Sequence, residues 1–127
     1  MIIRLEIMKM NFKNTIEFQK DFKKLFKKFK SLENDLVEFK KILNESPIGI
    51  GKHFNLITKS ESIYIIKARF FCKNLKKKDL RIIYAYIENR IEFIEMYFKG
   101  DKENEDRDRI KKYLKKLLDE VRPSLKV

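Results

Sequence analysis

Cysteine and histidine each occur once, as Cys72 and His53, in a chain of 127 residues. A single cysteine excludes an internal disulfide and fits a reducing, cytoplasmic setting. A single histidine argues against zinc, whose sites draw on several Cys, His and acidic side chains. A Ser-His-Asp or Cys-His centre would have to be built on His53, and nothing near it in the sequence supports one. We therefore expect no metal and no small-molecule cofactor. Glycine (three) and proline (two) are also scarce, so most of the length can enter helices and strands. No run of about 20 apolar residues is present, and no membrane span is expected. The opening MIIRLEIMKM does not read as a signal peptide: Arg4 and Glu6 interrupt its apolar run and no small-residue cleavage site follows. Residues 1–10 read either as an extra strand or as an over-extended start, with Met8 and Met10 just before the first organised segment.

What the chain does have is positive charge. Lys and Arg number 31 against 19 Asp and Glu, a formal net charge of +12. Such an excess suits nucleic acid, anionic lipid or an acidic protein partner. Solvated lysines from a lysine-rich codon bias produce the same total, so placement has to decide. Hydrophobic residues at 43% exclude a disordered chain, and the length fits one domain over 1–127.

The hydrophobic period changes along the chain. Residues 15–18 are a short strand candidate. Phe18, Phe22, Leu25, Phe26 and Phe29 then form one helical stripe, with Lys20, Lys23, Lys24, Lys27 and Lys28 mostly off it. Ser31 is placed to cap a second helix with the stripe Leu32, Leu36, Phe39 and Leu43, ending before Ser46-Pro47. Residues 48–61, with Gly49 and Gly51, read as loop. A period of two follows in 62–72, with Tyr64, Ile66, Ala68 and Phe70 on one face and Ile65, Lys67, Arg69 and Phe71 on the other. A basic loop over 73–79, containing Lys76, Lys77 and Lys78, leads to a strand over 80–87 and a returning strand over 91–99 with Ile94, Met96 and Phe98 on its apolar face. Asp101 is placed to cap a last helix with the stripe Ile110, Tyr113, Leu114, Leu117, Leu118 and Val121, closed by Pro123. The expected fold is α+β, in the order β-α-α-β-β-β-α: a small antiparallel sheet packed by an N-terminal helical hairpin and a C-terminal helix, with the helices on one face.

This reading sets Lys67, Arg69, Arg81, Tyr97 and Lys99 on the non-core face, with Glu95 sharing the parity of the last two. Cations held on a rigid sheet can grip a phosphodiester and stabilise charge developing on it. Tyr97 could stack on a base or donate a proton. The same alternation fits the polar side of any half-solvated sheet, and a register slip of one residue would turn every side chain over. Lys23, Lys24, Lys27 and Lys28, and the triplet Lys76, Lys77 and Lys78, are further candidates for phosphate contact or plain solvated surface.

Three stretches resemble the RelE/ParE toxin superfamily: IEFQKDFKKL from Ile16 to Leu25; IIKAR followed by LRIIY, containing Lys67, Arg69, Arg81 and Tyr84; and IEFIEMYFKGDKEN from Ile91 to Asn104. The resemblance spans roughly residues 11–118 and follows the family's element order, although no single motif is diagnostic. It implies a cytoplasmic toxin of a type II toxin–antitoxin module, with a RelE-like fold. RelE-type members enter the ribosomal A site and cut mRNA by attack of a 2′-hydroxyl on the neighbouring phosphate, without a metal. Arg81 then matches the arginine of the family's R-x-x-Y strand. Lys67 and Arg69 match the pair on the preceding strand, and Lys99 the lysine closing the last strand. Two departures stand out. Gly100 occupies the place where many active members carry arginine or histidine, and no counterpart of a C-terminal catalytic tyrosine is found, since Tyr113 lies on the helical stripe.

The implied function is a ribosome-dependent mRNA endonuclease that stops translation, with ribosome and mRNA as targets. The alternatives on the same fold are a ParE-type inhibitor of DNA gyrase and a non-catalytic basic module that binds RNA or a partner. The implied partner is an acidic cognate antitoxin, for which Phe71, Ile83 and Ile87 offer apolar contacts on the open sheet face.

Overall fold

The computed structural model describes residues 10–49, 51–75 and 77–121. The expectations for residues 1–9, Lys76 and Pro123, and for the side chains of Lys77, Lys78 and Val121, lie outside the described residues. The fold is α+β, with a five-stranded sheet and, among the described residues, three helices. The elements are β1 (Asn11–Asn14), α1 (Ile16–Lys28), α2 (Leu32–Glu45), β2 (Phe54–Ser60), β3 (Ile63–Cys72), β4 (Lys77–Ile87), β5 (Arg90–Phe98) and α3 (Arg107–Val121). Strand order is β1-β5-β4-β3-β2. Four strands form an antiparallel meander, and β1 joins β5 in parallel. The sheet is therefore mixed rather than antiparallel throughout.

The first strand lies before the expected 15–18. Thr15 instead caps α1: its extended backbone places Oγ1 to accept the Phe18 amide at 3.1 Å. Phe18 and Leu25 are buried, and the Phe18 ring stacks on Phe93 of β5 with centroids 5.3 Å apart. α2 buries Leu32, Leu36, Phe39 and Leu43 as its stripe requires. Ser31 stands at its N-cap position in helical geometry and does not cap; its hydroxyl donates to Asp35 Oδ2 at 2.7 Å and accepts from the Asn74 amide at 3.0 Å. The two helices bury Ile66, Ala68, Phe70, Leu80, Ile82, Tyr84, Phe93 and Met96 on the sheet.

Residues 54–60, read as loop, are the edge strand β2. Its pairing shifts between Leu56 and Thr58, which breaks the two-residue period that would have revealed it. A second shift falls in β5. Ile83 pairs with Glu95 and Tyr84 with Phe93, so Ile94 is an extra residue. Phe93, not Ile94, therefore shares the hairpin face with Met96, and Ile94 points to the other side.

That other side is not open along its whole length. α3 lies across it and packs Ile110 and Leu117, with Tyr113, Leu114 and Leu118, on Ile63, Ile65, Ile83, Ala85 and Ile94. The expectation that all helices share one face is corrected here: Ile63, Ile65, Ile83, Ala85, Ile94 and Tyr97 are buried on the side of α3, enough to require a cover of their own. Ile83 is fully buried and Ile87 partly so, which leaves Phe71, at 53% exposure, as the open one of the three apolar residues assigned to a partner surface. α3 is capped by Asp106, whose Oδ1 accepts the Arg109 amide at 3.0 Å, and not by Asp101. No helix of the described residues is long and apolar enough to cross a membrane.

Candidate phosphate-binding cleft

β3, β4 and β5 set their polar side chains in register beyond the end of the α3 cover. Arg81 pairs directly with Arg69 on one side and with Tyr97 on the other, and the backbone amide of Arg69 donates to the His53 carbonyl at 2.9 Å. One residue pair along, Asn55, Lys67, Ile83 and Glu95 form a second row. Lys99 follows β5, its amide bonded to the Asp79 carbonyl at 2.8 Å. These rows converge on a cleft of about 210 Å³ lined by Asn55, Lys67, Arg69, Arg81, Lys99 and Glu103.

Four cations thus face one small concavity that holds a single carboxylate. Like charges directly opposite each other on neighbouring strands repel, and Arg69 and Arg81 are such a pair. Arg81 is 7% exposed and donates from Nη1 to the Leu80 carbonyl at 3.2 Å, which fixes the guanidinium against the sheet. Arg69 and Lys99 are exposed. A fixed, planar guanidinium flanked by exposed cations is suited to bidentate phosphate contact.

Lys67 is held from behind. Its Nζ donates to Glu105 Oε1 at 3.0 Å, and Glu105, whose side chain is 2% exposed, also receives Arg107 Nε at 2.6 Å. Burial works against the Lys67 charge, but the bond to Glu105 and the nearby Tyr97 outweigh it and hold its pKa above the usual lysine value. For Glu105, burial favours the neutral acid; a backbone amide bond, Lys67 and Arg107 prevail, and its pKa is lowered. Glu95, 1% exposed, accepts the Asp106 amide at 2.8 Å and pairs closely with Lys102. Two buried carboxylates therefore fasten the connection between β5 and α3 to the sheet.

Of the residues expected in the site, Lys67, Arg69, Arg81 and Lys99 come together. Tyr97 stands behind Arg81, outside the cleft lining. It is 6% exposed, its ring packs in the α3 cluster, and Lys102 Nζ lies 5.4 Å from its centroid. Burial raises its pKa above that of free tyrosine despite the opposing charge of Lys67, so the phenol stays protonated near neutral pH. Its hydroxyl is enclosed and makes no hydrogen bond of ordinary geometry. Lys23, Lys24, Lys27 and Lys28 are exposed on α1, which covers the opposite sheet face, and do not line the cleft. Tyr113 lies elsewhere along α3 and donates to Glu92 Oε1 at 2.7 Å.

Asn55, Glu103 and Glu105 were not anticipated. Asn55 sits on the strand read as loop, and Glu103 and Glu105 lie in the connection between β5 and α3, whose path no local pattern gives. Among the described residues no group of three or more His, Cys, Asp or Glu is placed to hold a metal ion. Comparison with family models, curated proteins and solved structures finds no match to the chain.

Proposed function

We propose that the chain is a RelE-like toxin that cleaves mRNA on the ribosome, in the cytoplasm, and is neutralised by an acidic antitoxin. The observation that carries this reading is the convergence of Lys67, Arg69, Arg81 and Lys99 on one cleft of phosphate-group scale. In the proposed reaction a ribose 2′-oxygen attacks the adjacent phosphorus and the bond to the 5′-oxygen breaks. The products are a 2′,3′-cyclic phosphate and a 5′-hydroxyl. One proton leaves the 2′-oxygen and one reaches the departing 5′-oxygen. Arg81 and Arg69 grip the non-bridging oxygens as negative charge builds on them, and Lys99 gives the departing 5′-oxygen its proton. Glu103, the carboxylate in the lining, is the proposed proton acceptor.

A specific feature favours a second reading, in which the cleft binds an anion without cutting it, as a gyrase inhibitor or an RNA-binding module would. A Cβ on Gly100 would lie 2.5 Å from the Phe98 ring, so the arginine or histidine that many active relatives carry there cannot be introduced without moving that ring. Controlled expression followed by mapping of ribosome-bound mRNA ends separates the readings. Cleavage with 5′-hydroxyl ends that disappears in a soluble Arg81→Ala variant is the expected result. Growth arrest with intact mRNA would transfer the assignment to the second reading. Normal growth and translation with the lone chain would remove the toxin assignment altogether.

A further inference from the structure

β3 runs farther than its edge neighbour. β2 pairs with it only as far as Ala68, and the His53 carbonyl takes the Arg69 amide; beyond that point the edge of β3 is uncovered by β2. α2 passes alongside this gap. Between them lies a groove of about 460 Å³, within the range of roughly 300–1,000 Å³ typical of small-molecule sites. Its walls are apolar: Phe39, Phe54, Ile42 and Phe71, with Ile42 51% and Phe71 53% exposed. Its polar lining carries the carboxylates of Asp35 and Glu38, the latter paired with Lys41 at 3.1 Å, together with His53 and Lys73. Arg69 lines both this groove and the cationic cleft, so the two are continuous through one guanidinium.

We infer that this groove is a nucleobase subsite attached to the phosphate cleft, and that it prefers a base carrying an exocyclic amine. The inference rests on the anion-binding reading of the cleft. An open aromatic ring next to a phosphate-binding cation is how single-stranded nucleic acid is held: the base stacks on the ring while the cation keeps its phosphate. Phe71 is the exposed ring. Asp35 supplies direction. Its Oδ2 is already fixed by the Ser31 hydroxyl at 2.7 Å and the Lys73 amide at 3.1 Å, which immobilises the carboxylate while Oδ1 retains acceptor capacity. A carboxylate repels a phosphate but accepts from an amino group. Asp35 therefore favours the donor edge of cytosine, adenine or guanine over the carbonyl of uracil. An acceptor-lined apolar slot beside a cation suits a nucleotide better than an acyl chain or an acidic peptide.

The test is amide NMR titration of the full chain with ribose 5-phosphate, uridine 5′-monophosphate and cytidine 5′-monophosphate. All three should perturb Lys67, Arg69, Arg81 and Lys99. The cytidine compound should bind at least about fivefold tighter than ribose 5-phosphate, tighter also than the uridine compound, and perturb Phe71 and Phe54. Phe71→Ser should abolish that gain and leave ribose 5-phosphate binding unchanged. If ribose 5-phosphate binds at the cleft and neither nucleotide binds more tightly, the subsite is refuted and the phosphate cleft stands. If none of the three perturbs the cleft, the anion-binding reading fails, and the subsite with it.

Discussion

Replacing Glu105 by glutamine should lower stability and raise RNA affinity at once, a pairing of signs that a purely structural role for Glu105 does not produce. The carboxylate is buried and accepts from Lys67 at 3.0 Å and from Arg107 at 2.6 Å. A charged hydrogen bond is worth about 1.5–3 kcal/mol. Arg107 is 69% exposed, so its share is small, and Lys67 retains a neutral bond to the amide oxygen. The expected cost is about 1–2 kcal/mol, which for a chain of this length is a fall in Tm of roughly 3–10 °C. The affinity term has the opposite sign. A phosphate held on the far side of Lys67 lies on the order of 7 Å from Glu105. Removing one negative charge at that distance is worth about 0.6 kcal/mol in water and about 2.4 kcal/mol at an effective dielectric of 20. We expect about a fivefold gain in affinity for a short single-stranded RNA.

Melting curves and fluorescence anisotropy at pH 7 on the same preparation read both quantities. The pH dependence adds a second check. Glu105 has a lowered carboxyl pKa, so its contribution is present above the unfolded value and is lost as pH falls through the folded one. Lys67, whose pKa is raised, contributes fully below the ordinary lysine value and loses that contribution only as pH rises through the folded one. The stability gap between wild type and Glu105→Gln should therefore hold from about pH 5 to pH 10 and close as pH falls through the lowered carboxyl pKa of Glu105. A folded Glu105→Gln protein that binds RNA no better, or less well, than wild type would refute the argument that Glu105 offsets the charge of the cleft.

Arg81→Ala should remain folded yet lose growth arrest, and Arg81→Lys should also be impaired, because a point charge cannot repeat a planar two-point contact; toxicity on induction, scored against soluble yield, reads both. RNA association should weaken as salt rises, with log K falling by about 0.7 per decade for each phosphate contacted, the one in the cleft and those met by the exposed lysines of α1; a flat profile between low and physiological salt contradicts the phosphate reading. Asp21→Ala should cost about 2 kcal/mol in a denaturant titration, because Asp21 Oδ2 accepts both the Met96 amide at 3.1 Å and Arg109 Nη1 at 2.6 Å, joining α1 to β5 and α3. A double-mutant cycle with Arg109→Ala should show clear coupling between the two.

The helical hairpin and the faces of β3 and β4 were legible in the sequence because their periods run unbroken. The phenylalanine stripe predicts α1, and strict alternation from Ile63 to Phe70 places Lys67 and Arg69 opposite Ile66 and Ala68, as observed. The elements that were not legible are those with a broken period. β2 is short, half exposed and interrupted at Ile57, and its loop-like flank at Gly49 and Gly51, both at positive φ, hid where it starts. Thr15 reads as a strand residue by propensity, while its hydroxyl position makes it a cap. Cross-strand neighbours such as Asn55, and the bond from Glu105 to Lys67, depend on register and on loop path, which no local pattern encodes.

The extra residue at Ile94 links these failures to the site itself. A strand that kept perfect alternation from Ile91 to Phe98 would set Phe93 on the face of Glu95 and Tyr97, and Ile94 on the face of Met96 and Phe98. The bulge instead lets Ile91, Phe93, Met96 and Phe98 share the hairpin core while Ile94 and Tyr97 join the α3 core. It also frees the Ile94 carbonyl, which accepts Arg109 Nη1 at 3.1 Å and so draws the start of α3 onto this level of the sheet. From there the helix runs over Ile83, Ala85, Ile63 and Ile65, and the connection leading into it must pass back across Glu95 and Lys67. Arg69 and Lys99, beyond that crossing, remain open to solvent because the helix has already used the apolar half of the face. The position of the cleft therefore follows from where α3 crosses the sheet, and its positive charge from Lys67, Arg69, Arg81 and Lys99, offset in part by Glu103 and by Glu105 behind Lys67.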